Sequence, residues 1–223
     1  MRRARTRLTE ALAACGLLLA ACGAPSVAQT QERHFSFDPG ASEIHWRVYK
    51  AGAFARFGHN HVISVAEPRG AVVLADAVAD SRVEIDIPVL ELNVDDPALR
   101  ARYGEDFASV PSADDIAGTR TNMLTEGVLN GDRFTHLTIV GTGLSGVGAD
   151  QTIDLAIGLL GRMVNVTVPI DLEIGPDAVT ASGEFRLTHE QLGMEPFSVM
   201  MGALQVGNEI DFTFNVRAVR DDP

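Results

Sequence analysis

Apolar and polar residues alternate with a period of two along most of this chain, which is the pattern of a β-strand with one buried face. In residues 43–48, for example, Ile44, Trp46 and Val48 alternate with charged and polar residues. The same alternation recurs in residues 82–87, 135–142, 152–159, 163–174, 178–187 and 209–219, and glycine-rich turns, one of them at residues 206–208, separate the segments. Strands in this succession predict a single all-β domain, an antiparallel up-and-down barrel of about eight strands.

One region interrupts the strand pattern. Between residues 97 and 123 the apolar positions recur at helical spacing, and Ser112 is a suitable N-cap directly after Pro111. We therefore expect two short helices joined around Pro111, packed across one end or one side of the barrel. A helix there can act as a lid or as a plug, and the sequence leaves both open.

The first 21 residues have the pattern of an export signal. Four arginines precede an apolar run of about a dozen residues, too short to span a bilayer permanently. The run ends in Leu-Ala-Ala-Cys at Cys22, which resembles the cleavage box of a bacterial lipoprotein signal. This predicts a signal peptide over residues 1–21, a lipidated Cys22, a tether over residues 22–32 and one domain over residues 33–220. It also predicts a periplasmic location, with the lipid anchor in the outer membrane.

A second processing site stays open. Ser26-Val27-Ala28 is a small-x-small sequence that fits ordinary signal cleavage before Gln29. Cleavage there would remove Cys22 and release a soluble periplasmic protein. A cytosolic protein that keeps its first residues is a third alternative.

The composition restricts the classes of partner. The chain carries a formal net charge of −12, and removal of residues 1–21, with four arginines and Glu10, changes it to −15. Such a surface repels phosphate backbones, so we expect no nucleic-acid partner. Both cysteines lie at or before Cys22, and the exported domain would therefore hold no disulfide.

Five segments taken in order resemble the YceI-like family, which is associated with polyisoprenoid and other long-chain lipid binding in a periplasmic, lipocalin-like barrel. They are residues 42–48, the Gly-His-Asn-His stretch within residues 55–61, residues 119–124, residues 157–169, and the Leu-Gly-Met-Glu-Pro-Phe loop at residues 192–197. Gly158 and Leu160 replace the family's usual threonine and polar residue, so that strand is more apolar here. The resemblance covers about residues 35–219.

The resemblance implies an interior that holds a long apolar chain: a polyisoprenoid, an isoprenoid quinone or a fatty-acyl chain. Ten buried carbons would contribute on the order of 8 kcal/mol before entropic costs, enough for micromolar binding. The candidate lining residues are large and apolar: Trp46, Val48, Phe54, Phe57, Met123, Phe134, Leu159, Met163, Phe185, Met194, Phe197, Met200, Met201, Phe212 and Phe214. Each can instead be ordinary core.

Polar contacts to a ligand head group are expected near Arg56, His59 and His61. Two histidines two residues apart on a strand project from the same face. Two ligands do not complete a zinc site, so no metal and no cofactor is assigned. The same histidines can equally bond a neighbouring loop, and Arg56 can pair with an acid of the protein.

We find no catalytic motif and predict a binding protein, not an enzyme. Ser145 lacks the Gly-x-Ser-x-Gly elbow, and the acidic pairs at Asp95 and Asp114 fit the starts of helices. Two other classes remain. One is a redox accessory that binds a quinone or a metal through His59 and His61 and serves a membrane electron carrier. The other is a stress-response domain with a filled core and a partner surface on residues 99–123. A homodimer stays open.

Overall fold

The computed structural model describes residues 32–221, which form thirteen antiparallel strands and two short α-helices. The strands are β1 (Arg33–Phe37), β2 (Glu43–Ala51), β3 (His61–Val65), β4 (Arg69–Leu74), β5 (Arg82–Pro88), β6 (Leu92–Val94), β7 (His136–Ser145), β8 (Thr152–Leu159), β9 (Arg162–Pro169), β10 (Asp171–Ile174), β11 (Ala178–Thr188), β12 (Ser198–Val199) and β13 (Leu204–Arg220). The helices are α1 (Pro97–Arg100) and α2 (Ala113–Met123), and 3₁₀ turns occupy Pro39–Ala41, Ala55–Phe57, Val78–Asp80, Val89–Glu91, Ala101–Phe107, Gly148–Asp150 and Met200–Gly202. The predicted signal peptide, Cys22, the alternative cleavage site after Ala28 and all but the last residue of the tether lie outside the described residues.

The prediction of an all-β antiparallel domain with two short helices is confirmed. The strand count and the closure differ from the prediction. Thirteen strands are present instead of about eight, and the main path runs β6-β3-β2-β13-β1-β4-β5-β7-β8-β9. Within residues 32–221 these pairings do not close into a ring, so the fold is an open barrel, not a simple meander.

The last strand explains why the pairing branches. β13 is 17 residues long and pairs with β2 and then β1 along one edge, and with β12 and β11 along the other. The turn predicted at residues 206–208 is an irregularity within β13, where its register against β2 shifts between Val206 and Ile210. A glycine-containing β-bulge has the same local composition as a turn, so the pattern alone could not separate them.

A similar break divides the strand predicted over residues 163–174. The Ile170 N–H donates to the Gln151 carbonyl, and the chain then leaves β8 to pair with β11 as β10. The same corner brings β9 close to β11, because a Cβ on Gly183 would lie 2.7 Å from the Pro169 carbonyl oxygen. Glycine at position 183 therefore allows the two ends of the open barrel to approach each other.

The helical region covers two different parts of the sheet. A small apolar cluster of Val62, Leu99 and Phe107 packs the segment from α1 to residue 107 on the outer face of β2 and β3. α2 is capped by Ser112, which accepts from the Asp115 N–H as predicted, and lies over an opening of the barrel interior. Among the described residues, no helix has the length and apolar character needed to cross a bilayer.

Candidate functional site

A cavity of about 360 Å³ lies inside one end of the barrel, between β2, β3, β13 and α2. Its inner wall is apolar and is formed by Trp46, Val48, Ile63, Met123, Leu129, Met194, Phe197 and Ile210. Its outer edge carries exposed residues from two parts of the chain: Lys50 and Phe57 from β2 and the turn after it, and Asp114 and Asp115 from the first turn of α2. The volume is near the lower end of the range of about 300–1,000 Å³ that small-molecule sites occupy.

A second, almost wholly apolar cavity of about 150 Å³ lies farther along the same barrel, where the exposed Val78 and Arg82 line it. The pairing of β2 with β13 shows how the two are divided. Val48 and Ile210 are paired and line the first cavity. Ile44 and Phe214 are paired and line the second cavity. Between them, the Trp46 and Phe212 rings lie 6.2 Å apart, and Phe185 stacks on Phe212 at 5.0 Å. We call Trp46, Phe212 and Phe185 the aromatic layer.

The polar side of the first cavity is organised by His61, at the start of β3. The His61 Nδ1–H donates to Asp95 Oδ2 over 2.6 Å, and the other carboxylate oxygen accepts from the Val62 N–H over 2.9 Å. Asp95 is fully buried and has a left-handed backbone with φ of 58°. Burial alone would raise the pKa of Asp95, but hydrogen bonds from His61, Val62 and Arg100 outweigh it and lower the pKa. The carboxylate is therefore ionised near neutral pH.

Arg100 supplies the positive partner of that carboxylate. Its Nη1 lies 2.5 Å from Asp95 Oδ1 and 2.6 Å from the Asn60 carbonyl, while Nη2 donates to the carbonyls of Phe107 and Ser109. One buried guanidinium thus ties the loop before β3 to the segment between the helices. This arrangement fixes the backbone that carries both histidines.

The orientation of His61 leaves one ring nitrogen for the cavity. Because Nδ1 donates to Asp95, Nε2 of the neutral ring is an acceptor, and the Thr119 hydroxyl of α2 lies 3.3 Å from it. Asp95, His61 and Thr119 form a chain of hydrogen bonds that ends on the cavity wall. Since Nε2 has a single lone pair, a ligand hydroxyl can bond either to the Thr119 oxygen or to Nε2 in place of Thr119.

His59 is not on β3 but in the loop before it, and its ring lies 6.2 Å from that of His61. Its Nδ1 is 3.2 Å from Ser109 Oγ, and its Nε2 is 3.7 Å from Asp115 Oδ2 at the first turn of α2. Hydrogen bonds from Ser112 lower the pKa of Asp115, and the nearby histidines lower it further. His59 therefore connects the rim of the barrel to α2.

A third histidine, which the sequence did not indicate, faces the same cavity. His189 Nδ1 donates to the Asn208 carbonyl at the irregularity in β13, which leaves Nε2 as an acceptor. Burial lowers the pKa of His189, although the bond to Asn208 raises it. The ring is consequently neutral at pH 7.

The structure brings nine of the predicted apolar residues to the two cavities. Trp46, Val48, Phe57, Met123, Met194 and Phe197 line the first, and Phe185, Phe212 and Phe214 line the second. Phe54, Phe134, Leu159, Met163, Met200 and Met201 line neither. Leu159 is buried core, whereas Met163 lies on the outward face of β9, because Val164 and Val166 take the inward positions.

The predicted polar residues divide in the same way. His59 and His61 line the first cavity, but Arg56 does not, and its guanidinium lies 4.4 Å from the Phe57 ring centroid. Within residues 32–221, no group of three or more histidine, cysteine or acidic side chains is placed to hold a metal ion.

Asp95, Thr119 and His189 are the site residues that sequence reasoning missed. Asp95 resembled a helix-start charge beside Asp96, yet only Asp96 caps α1. The sequence did contain a signal for Asp95. Only one of two adjacent acids can be the N-cap of a helix, so the remaining one needs a different partner. For His189 no signal existed, since its neighbour Asn208 is distant in sequence.

The sequence model of the YceI-like domain matches residues 35–218. No curated protein matches the chain. The fold is similar to that of BcnA from Burkholderia cenocepacia, with a TM-score of 0.57 and 11% identity over 81% of this chain and 98% of that one. It is also similar to the YceI protein of Campylobacter jejuni, with a TM-score of 0.51 and 6% identity over 72% of this chain and 85% of that one.

Proposed function

The chain belongs to the YceI-like family, and from this we propose that it is an exported binding protein that holds one apolar chain inside its barrel. The observation that carries the proposal is the cavity of about 360 Å³ with an apolar inner wall and a polar, partly open edge. A filled core would give an interaction domain no such space. The cavity therefore favours a carrier over the stress-response domain without a ligand.

The size of the cavity sets the length of chain that enters without rearrangement. Since a water molecule occupies about 30 Å³ of liquid, the first cavity holds roughly a dozen water-sized groups. A longer polyisoprenoid would have to displace the aromatic layer or extend past α2. The head group would then stay at the edge of the cavity, where the hydrogen-bonding side chains lie.

The polar edge favours a neutral head group with a hydroxyl or carbonyl oxygen. His61 Nε2, the Thr119 hydroxyl and His189 Nε2 offer hydrogen bonds at the cavity wall, and Asp114 and Asp115 face the same opening. Two carboxylates would repel a phosphate. His59 and His61 take part as head-group contacts in this proposal, and Arg56 stands outside it.

A second candidate is a redox accessory that carries an isoprenoid quinone. The specific support is His61, held by Asp95 with its other nitrogen toward the cavity. A quinol that passes its electrons to a membrane carrier releases protons, and His61 Nε2 can accept one of them. The bound species decides between the two functions. A quinone ring in the extract supports the accessory, and a redox-inactive lipid supports plain carriage.

The proposed location rests on the first 22 residues. Their arginine-rich start, short apolar run and Leu-Ala-Ala-Cys box support export and a lipid anchor on Cys22. Cleavage after Ala28 would give a soluble periplasmic form. Mass measurement of the mature protein distinguishes the two, because only the anchored form carries acyl chains.

The binding test uses two variants that make the same change. Lipid extracts of the purified wild type, of Met123→Trp and of Met163→Trp are compared by mass spectrometry. Met123 lines the first cavity, whereas Met163 is exposed on β9. We expect the wild type and Met163→Trp to carry the same lipid and Met123→Trp to lose it. An equal lipid content in all three, or none in any, would overturn the proposal.

A further inference from the structure

Five exposed apolar side chains form a projecting surface beside the first cavity. Phe57 is 66% exposed, Met200 62% and Met201 fully, and Phe54 and Val199 are each about a third exposed. They belong to two segments, one after β2 and one that comprises the end of β12 and the turn before β13. We call these five residues the apolar lip. Large apolar side chains grouped at one exposed place usually mark an interaction surface.

The lip is a rigid unit built from both segments. The Phe54 N–H donates to the Ala203 carbonyl over 2.7 Å, and the Phe54 and Phe57 rings meet edge to face at 6.1 Å. Gly52 has a φ of 92°, and a Cβ on it would lie 2.6 Å from the Ala203 oxygen. The close approach of the two backbones therefore requires glycine at this position.

Two methionines of the lip have an unusual backbone. Met200 and Met201 have φ values of 53° and 57°, in the left-handed region that residues with a Cβ avoid. Such strain persists where the surrounding structure imposes it, and it concentrates at functional sites. Here it turns two apolar side chains away from the protein and toward solvent.

The two segments that form the lip carry only positive charge, although the whole chain is acidic. Residues 50–58 and 199–204 contain Lys50 and Arg56 and no acid, although the chain has a net charge of −12. The Arg56 guanidinium lies over the Phe57 ring, and Lys50 Nζ donates to the Gly58 carbonyl. Apolar side chains with adjacent cations match the interface of an anionic bilayer, where burial of apolar surface and attraction of cations to the headgroups both favour binding.

We propose that the apolar lip docks on the surface of a lipid bilayer, with Phe57, Met200 and Met201 among the acyl chains and Arg56 at the headgroups. The lip is continuous with the cavity, because Phe57, Lys50 and Leu204 line its opening. A ligand chain could then pass between bilayer and barrel without crossing water. Asp114 and Asp115 belong to α2 and not to the lip, so repulsion from the headgroups disfavours an orientation that brings α2 onto the membrane.

The docking is a separate property from the proposed carriage of a ligand, and its test needs none. Trp46 is the only tryptophan, so Trp46→Phe gives a full chain without tryptophan. Met201→Trp then places one indole on the lip. Val147→Trp is the matched control. Val147 is 82% exposed but lies away from the lip, since it follows β7, whose Leu144 lines the second cavity and not the first.

Each full-length protein is mixed with vesicles of phosphatidylethanolamine and phosphatidylglycerol whose acyl chains carry bromine, which quenches nearby indoles. Both proteins keep the same first 31 residues, so any attachment through them is equal. We expect Met201→Trp to lose at least about half of its emission, since a docked side chain reaches the acyl boundary. Val147→Trp should lose little.

Phe57→Trp serves as a second reporter in case Met201→Trp disturbs its turn, and circular dichroism establishes that each variant is folded. Quenching of the lip indoles but not of the control supports the proposal. Equal quenching of all three, or no quenching of either lip indole, overturns it. A lip that pairs with a second copy of the chain gives the latter outcome, with indole emission already shifted to the blue before vesicles are added.

Discussion

Asp95 links the cavity wall to the buried guanidinium beneath it. It orients His61, accepts from Arg100 and holds the backbone at the start of β3. The ion pair with Arg100 is buried on both sides. Removal of one partner from such a pair leaves an uncompensated charge in the interior.

Asp95→Asn should therefore lower the free energy of unfolding by about 3–5 kcal/mol, the usual cost of breaking a buried ion pair. Urea denaturation followed by circular dichroism measures the change. Asp96→Asn is the matched control, because Asp96 caps α1 by accepting from the Leu99 N–H and asparagine caps helices as well as aspartate does. If Asp95→Asn lowers the free energy of unfolding no more than Asp96→Asn does, the stabilising role of the Asp95–Arg100 ion pair is contradicted.

The buried histidines make stability depend on pH. Burial lowers the pKa of both His45 and His189, so below the unfolded-state pKa of about 6.5 the unfolded chain binds more protons than the folded one. The contribution of these histidines to the free energy of unfolding should consequently be complete above that pH. The free energy of unfolding should then fall as the pH decreases toward 5.5. Thermal melts at several pH values measure it.

His189→Gln should flatten part of this dependence, because glutamine keeps a donor for the Asn208 carbonyl but does not titrate. His136→Gln is the control, since His136 is exposed beside Asp86. A wild-type melting temperature that stays constant or rises between pH 7 and 5.5 would contradict the account. So would equal pH dependence in His189→Gln and the wild type.

At the scale of elements, the aromatic layer limits the length of ligand. Phe212→Ala should join the two cavities, because Phe212 contacts Trp46 on one side and Phe185 on the other. We expect bound chains to become longer in mass spectra, and the protein to lose about 3–5 kcal/mol of stability. Phe214→Ala enlarges only the second cavity and should not change the bound chain length. Identical chain lengths in all proteins would show that the layer does not bound the site.

α2 contains a glycine that its fold does not require. A Cβ on Gly118 would meet nothing within 4 Å, and alanine in a helix interior is favoured over glycine by about 1 kcal/mol. Gly118→Ala should accordingly raise the melting temperature. Gly141→Ala should lower it, because that Cβ would lie 2.6 Å from Val83 Cγ1. A Gly118→Ala protein less stable than the wild type would mean that α2 has another conformation.

The elements were predictable to the extent that local pattern determines them. Period-two alternation found the long strands, and Ser112 marked the start of α2. The break at Ile170 and the irregularity in β13 were missed, because both depend on which strand lies alongside, which alternation does not encode. The count of about eight strands was too low because β1, β3, β4, β6 and β12 were not recognised and β9 and β10 were taken as one strand.

At the scale of the whole molecule, the sequence led to the family and to part of the cavity wall. Alternation on β2 and β13 placed Trp46, Val48, Phe212 and Phe214 inside. It could not place Met163 or Met200, since a lone apolar residue on an edge strand or a loop is compatible with either side. The hydrogen bonds of Asp95 and His189 join segments distant in sequence, and only the folded chain shows them.

The central claim is that the first cavity binds an apolar chain, and Trp46 on its wall reports this directly as the only tryptophan. Its fluorescence is titrated with straight-chain primary alcohols of increasing length. Each added methylene should strengthen binding about fourfold, which corresponds to about 0.8 kcal/mol, until the cavity is full. Emission that does not respond to any alcohol, or an affinity that is independent of chain length, would contradict the claim.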